Sequence, residues 1–132
     1  MKGSAAGGDY SYLCPSNLLA HFYALNSQRV YNYYYTNNCC HSSELLYIFG
    51  GVQMDSNKEF SNKLVQYWSN FIRDDNPNSH STSFTWLEYN SDKKAYIELN
   101  KSYFKINYDL KNKECFLWEQ LYLESFINIT VI

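Results

Sequence analysis

The chain has 132 residues, 45% of them apolar, with 14 tyrosines, 8 phenylalanines and a formal net charge of -2. That is enough chain for one core and no more than one domain, and the core should be aromatic rather than aliphatic. The 11 Lys and Arg residues are scattered, so no basic stripe is available to neutralise a row of phosphates, which argues against nucleic acid as a partner.

Residues 1–8, Met-Lys-Gly-Ser-Ala-Ala-Gly-Gly, lack the apolar centre of a signal peptide and read as a linker or truncation point. No apolar run approaches the about 20 residues needed to span a bilayer. Pro15 suits the first turn of a helix carrying Leu18, Leu19, Phe22 and Leu25 as one apolar stripe. His21 lies within that helix and reads as a packing or surface histidine. Residues 29–35 form a strand rich in Val and Tyr, apolar on both faces, which predicts a sheet covered on both sides. After the turn Thr36-Asn37-Asn38 comes Cys39-Cys40-His41, then a short helix over residues 43–49 closed by Gly50-Gly51. Ser56 and Glu59 have capping-box spacing ahead of a long amphipathic helix carrying Phe60, Leu64, Tyr67, Trp68, Phe71 and Ile72. Asp74 to Asn78, with Pro77 inside, ends it. Residues 95–99 and 103–108 make two short strands joined as a hairpin by Asn100-Lys101-Ser102. Residues 110–126 read as a terminal helix, and 127–132 as a frayed or extended tail.

Chemistry concentrates around residues 39–44, which offer two thiols, an imidazole and, at Glu44, a carboxylate. A histidine on the loop after a strand is well placed for a catalytic base, although a solvated or structural imidazole is the plainer reading. Adjacent Cys39, Cys40 and His41 cannot all face one tetrahedral ion without strain, and no second Cys or His cluster supplies partners, so no metal is expected. A thiol nucleophile at Cys39 or Cys40 beside His41 stays open. There is no GxSxG elbow, P-loop or dinucleotide fingerprint, hence no expected cofactor and no acyl-transfer nucleophile within these residues. Four cysteines and the sequons at Asn100 and Asn128 lean towards a secretory lumen; the unapolar start points the other way.

The ordered set Asp9, Cys14-Pro15, Val30-Tyr31-Asn32-Tyr33, His41-Ser42-Ser43-Glu44-Leu45, Ile48-Phe49-Gly50, Tyr67-Trp68-Ser69-Asn70-Phe71, Asn76-Pro77-Asn78, Trp86, Tyr89 and Cys115-Phe116-Leu117-Trp118 resembles the C-terminal part of the type-B carboxylesterase and cholinesterase family. The resemblance implies an α/β class: the C-terminal portion of an α/β-hydrolase fold, with helices around one or two sheet strands plus a hairpin, residues 9–126 being a partial esterase domain. It implies that His41 is the catalytic general base, since the triad follows the chain order Ser, acid, His. Glu44 matches the family's H-x-x-E carboxylate. Cys14 and Cys115 match a pair that the family bridges, tying the first helix to the last. The implied function is the C-terminal segment of a serine hydrolase of carboxylic esters, lacking nucleophile and oxyanion donors and so inert alone. Its partner would be the rest of an esterase domain, and its compartment a secretory lumen if it belongs to a longer family member. The alternative is a non-catalytic esterase-like interaction or adhesion module. The sequence departs from the family pattern at Ser42, where the family carries Gly, at Asp74-Asp75, which replace Thr-Gly, and in a shorter segment between strand and histidine. Cys39 and Cys40 have no counterpart.

Overall fold

The long helix expected after residue 55 forms because its apolar side chains recur every three or four positions. In the computed structural model, which describes residues 2–37, 41–52, 55–80 and 82–129, it spans Asp55–Asp74. The elements in order are α1 (Lys2–Gly8), a π-helical turn (Asp9–Leu13), α2 (Cys14–Leu25), β1 (Asn32–Tyr35), α3 (Leu45–Ile48), α4 (Asp55–Asp74), β2 (Ala95–Leu99), β3 (Phe104–Tyr108) and α5 (Asn112–Ile129). The result is a mixed chain of helices around a three-stranded sheet of order β1-β2-β3, with β1 parallel and β3 antiparallel to β2.

The core lies between one sheet face and α3 and α4. Phe60, Leu64 and Tyr67 of α4 meet Tyr47 and Ile48 of α3, Ile97 and Leu99 of β2, and Trp86. Each of the larger aliphatic side chains among them gains about 1.5–3 kcal/mol by leaving water. Tyr33, Tyr35, Phe104 and Ile106 pack against this cluster from β1 and β3. The aromatic content makes edge-to-face contacts, such as Tyr67 on Trp86 with centroids 5.8 Å apart and Tyr47 on Phe60 at 5.3 Å.

Four expectations are corrected. Among the described residues the apolar core covers one face of the sheet: the register puts Asn32, Tyr34, Tyr96, Glu98, Lys105 and Asn107 on the opposite face, where Asn32 Nδ2 donates to Asn17 Oδ1 of α2 at 3.2 Å and Glu98 accepts hydrogen bonds from Tyr103 Oη (2.7 Å) and Asn107 Nδ2 (2.9 Å). Tyrosine suits either face because its ring is apolar and its tip polar, so a tyrosine run does not report two-sided burial. Residues 2–8 of the expected linker are helical and run without a break into the π-helical turn, where Asp9 accepts two bonds from Nζ of Lys111, the residue before α5, at 2.5 and 2.8 Å. α5 continues to Ile129, through the start of the expected tail. Finally, the far end of the α4 stripe is open, with Ile72 79% exposed. The Ser56 side chain of the expected capping box, Cys39, Cys40 and the tail residues 130–132 lie outside what the structure describes.

Two helical stripes read from the sequence face solvent. Leu18, Leu19, Phe22 and Leu25 of α2 are exposed, as are Phe116, Leu117, Leu121 and Leu123 of α5. Nothing within the described residues covers these side chains.

Candidate active site

The His41 turn is built at the C-terminal end of β1. Thr36 N–H donates to Leu99 O at 3.1 Å, so by strand alternation the backbone groups of Tyr33 and Tyr35 point away from β2, to an edge with no neighbouring strand. Residues 41–44 form a turn, and Ser42 sits in the left-handed region at φ 65°. A side chain there costs about 1–2 kcal/mol. Asp75 likewise adopts φ 52° as α4 ends. Both are non-glycine residues held in the left-handed region.

Ser42 O accepts from Leu45 N–H at 3.2 Å, and Glu44 O from Ile48 N–H at 3.0 Å, starting α3. Gly50 at φ 68° closes it: Gly50 N–H donates to Tyr47 O (3.2 Å) and Gly51 N–H to Leu46 O (2.9 Å), the paired bonds of a Schellman cap. Ser61 Oγ donates to Tyr47 O at 2.7 Å, fastening α3 to α4. The histidine thus stands on a turn whose far end is held by the core.

His41 is exposed. Its ring stacks on Tyr12 from the π-helical turn, with centroids 4.0 Å apart and planes 22° from parallel. Among the described residues no carboxylate forms an ion pair with it. Glu44 turns elsewhere: its Oε1 accepts from Tyr33 Oη at 3.4 Å. Burial first, then the Glu44 charge and this bond, push the Tyr33 phenol from 10.0 up to about 12. Ser43 Oγ is buried without a hydrogen-bond partner. The described residues include no cluster of His, Cys, Asp or Glu able to hold a metal.

Cys14 and Cys115 are joined by a disulfide with Cα atoms 5.0 Å apart, and both are buried. It ties α2 to α5, and Asn17 of α2 donates from Nδ2 to Leu110 O, in the turn before α5, at 2.8 Å. Asn100 occupies the β2–β3 turn; Asn128 lies in α5 with its side chain outside the description. Sequence reasoning missed Tyr12 and gave Tyr33 no role. The Tyr12 stack joins residues 29 positions apart in a chain where neither sits in a recognisable pattern with the other, so no local signal existed. Tyr33 stood in the quoted β1 run.

The model of the Carboxylesterase family matches residues 2–118, and the chain belongs to that family. It is 27% identical over 141 residues to an acetylcholinesterase of Bungarus fasciatus, covering 93% of this chain and 23% of that protein. Over 139 residues it is 28% identical to acetylcholinesterase 1 of Caenorhabditis elegans, covering 85% and 22%. Against an acetylcholinesterase of Gallus gallus the identity is 24% over 140 residues, covering 93% and 18%. The chain spans less than a quarter of the length of these relatives.

Proposed function

We propose that residues 1–132 act as the C-terminal segment of a carboxylic-ester hydrolase of the α/β-hydrolase fold, with His41 as its general base. The observation that carries this reading is the position of His41, on a turn directly beyond the C-terminal end of a parallel strand whose outer edge is open. A further strand added to that edge would extend the sheet, and the exposed stripes of α2 and α5 would be covered by the same body. His41 would take the proton of a serine hydroxyl supplied from outside these residues, as the oxygen attacks the ester carbonyl, and return it to the leaving alcohol. The chain alone would be inert, having no nucleophile elbow or oxyanion donors. Glu44, facing Tyr33, would hold the base of the turn rather than serve as the triad acid.

A second reading is favoured by the Tyr12 stack, which covers one face of the imidazole, and by the strained Ser42: a non-catalytic esterase-like interaction module. A fluorophosphonate probe separates the two. A polypeptide in which residues 1–132 complete an esterase domain that carries a nucleophile elbow should be labelled on serine at a rate that falls at least a hundredfold in His41→Gln; labelling at an equal rate would remove His41 from the chemistry. A polypeptide that the probe does not label would support the interaction module.

A further inference from the structure

We infer that Asn100 is an N-glycosylation site, its glycan standing at the same end of the sheet as the His41 turn. The inference is independent of the esterase reading and rests on three observations. The first is the compartment: a buried bridge between residues 101 positions apart persists where thiols are oxidised, and the lumen that forms such bridges is also where asparagine is glycosylated.

The second is the shape of the acceptor. Asn100 and Tyr103 exchange backbone hydrogen bonds at 3.1 and 3.2 Å, so residues 101–102 form a two-residue hairpin turn, with Lys101 and Ser102 both exposed. Asn100 Oδ1 accepts from Ser102 N–H at 3.0 Å, which folds the sequon back on itself and leaves Nδ2 as the free end of the amide. The third is what Nδ2 does in the fold. It donates one hydrogen to Thr36 Oγ1 at 3.1 Å, and an amide nitrogen carries two. Glycosylation consumes the other: the Nδ2–C1 bond forms as the C1–O bond of a lipid-pyrophosphate-linked oligosaccharide breaks, one amide proton is lost, and the lipid pyrophosphate leaves with the bonding pair. The remaining N–H keeps its bond to Thr36, so the modified side chain fits the turn that the unmodified one makes.

The location matters because β1 and β2 are parallel, so Asn100 and Thr36 follow the same ends of neighbouring strands. Asn37, next in line, donates to Leu99 O at 3.3 Å and accepts from Lys101 N–H at 2.8 Å, binding this turn to the segment that enters the His41 loop. A glycan here would stand beside the loop and leave the core face of the sheet untouched.

The test is translation of the full 132-residue chain behind a cleavable lumen-targeting leader with microsomes, where acceptance of a glycan precedes folding and a folding defect cannot mask it. Asn128→Gln isolates the site. This variant should show one glycan-sized mobility step that collapses on amidase treatment, disappears in Ser102→Ala and returns in Ser102→Thr. Ser102→Ala keeps the Asn100 amide and its bond to Thr36, so loss of the step reports the modification alone. Translocated Asn128→Gln chain, protected from added protease yet carrying no glycan, would overturn the inference; so would a step that survives Ser102→Ala.

Discussion

Removing the Cys14–Cys115 bridge should cost more than removing any other single tie between the N-terminal helices and α5. The two cysteines are 101 positions apart, and closing a loop of that size removes denatured-state entropy equivalent to about 4.7 kcal/mol. Among the ties that would remain are Asn17 Nδ2 on Leu110 O at 2.8 Å, the Asp9–Lys111 pair, the contacts of the Tyr10 ring with Trp118 at 5.2 Å and Tyr122 at 5.3 Å, and the hydrogen bond from Tyr122 Oη to Tyr10 O, each worth about 1 kcal/mol. The double variant Cys14→Ala, Cys115→Ala should therefore lose roughly 3–5 kcal/mol of a stability that in domains of this size totals about 5–15 kcal/mol. Urea unfolding followed by tryptophan fluorescence measures the loss, and amide exchange locates it. Protection should fall first in α2 and α5, while β2 and β3, which pair over five residues, hold theirs. A loss under about 1 kcal/mol, against the 2–5 kcal/mol usual for a native bridge, or one spread evenly over the sheet, would refute the view that the bridge is the principal fastening of α5.

Two smaller changes probe the His41 turn. Ser42→Gly relieves a left-handed residue costing about 1–2 kcal/mol and adds denatured-state freedom worth about 0.4–1 kcal/mol. The thermal midpoint should rise, by up to about 1.6 kcal/mol in stability; a fall would show that the serine hydroxyl holds the turn. Glu44→Gln should lower the Tyr33 phenol from about 12 yet leave it above 10.0, because burial is the larger cause. Since the folded value is raised, the stability this phenol contributes is complete below pH 10.0 and is lost as pH rises through about 12. Glu44→Gln should shrink that alkaline loss. An absorbance titration of tyrosinate that does not move in the variant would contradict the Tyr33–Glu44 pairing.

Elements with a strong period were legible from the chain itself. α2 begins one residue before Pro15 and ends at Leu25, α4 ends in the Asp74–Asn78 segment, and the hairpin turns at residues 100–103. α1 was not, because Gly7-Gly8 reads as a breaker, yet glycine adopts helical angles as freely as any others; Gly8 has φ -65°. The tyrosines of β1 hid the sheet's polar face. The open stripes of α2 and α5 could not be foreseen, since a helical period names the apolar side and says nothing of what covers it. At the site, the turn carrying His41 followed from the sequence, and the Cys14–Cys115 pairing from the family resemblance. The Tyr12 stack and the turning of Glu44 towards Tyr33 arise from tertiary placement, which residue spacing does not encode.

The role of His41 is tested most directly by steady-state hydrolysis of a simple aryl ester by a polypeptide in which residues 1–132 complete an esterase domain carrying a nucleophile elbow, with and without His41→Gln. A positioned general base contributes on the order of 10²–10⁴-fold, so kcat/KM should fall by at least a hundredfold while the Cys14–Cys115 bridge and the folded content are retained. Hydrolysis by the wild type that is unchanged in His41→Gln would contradict the assignment of His41 as the base.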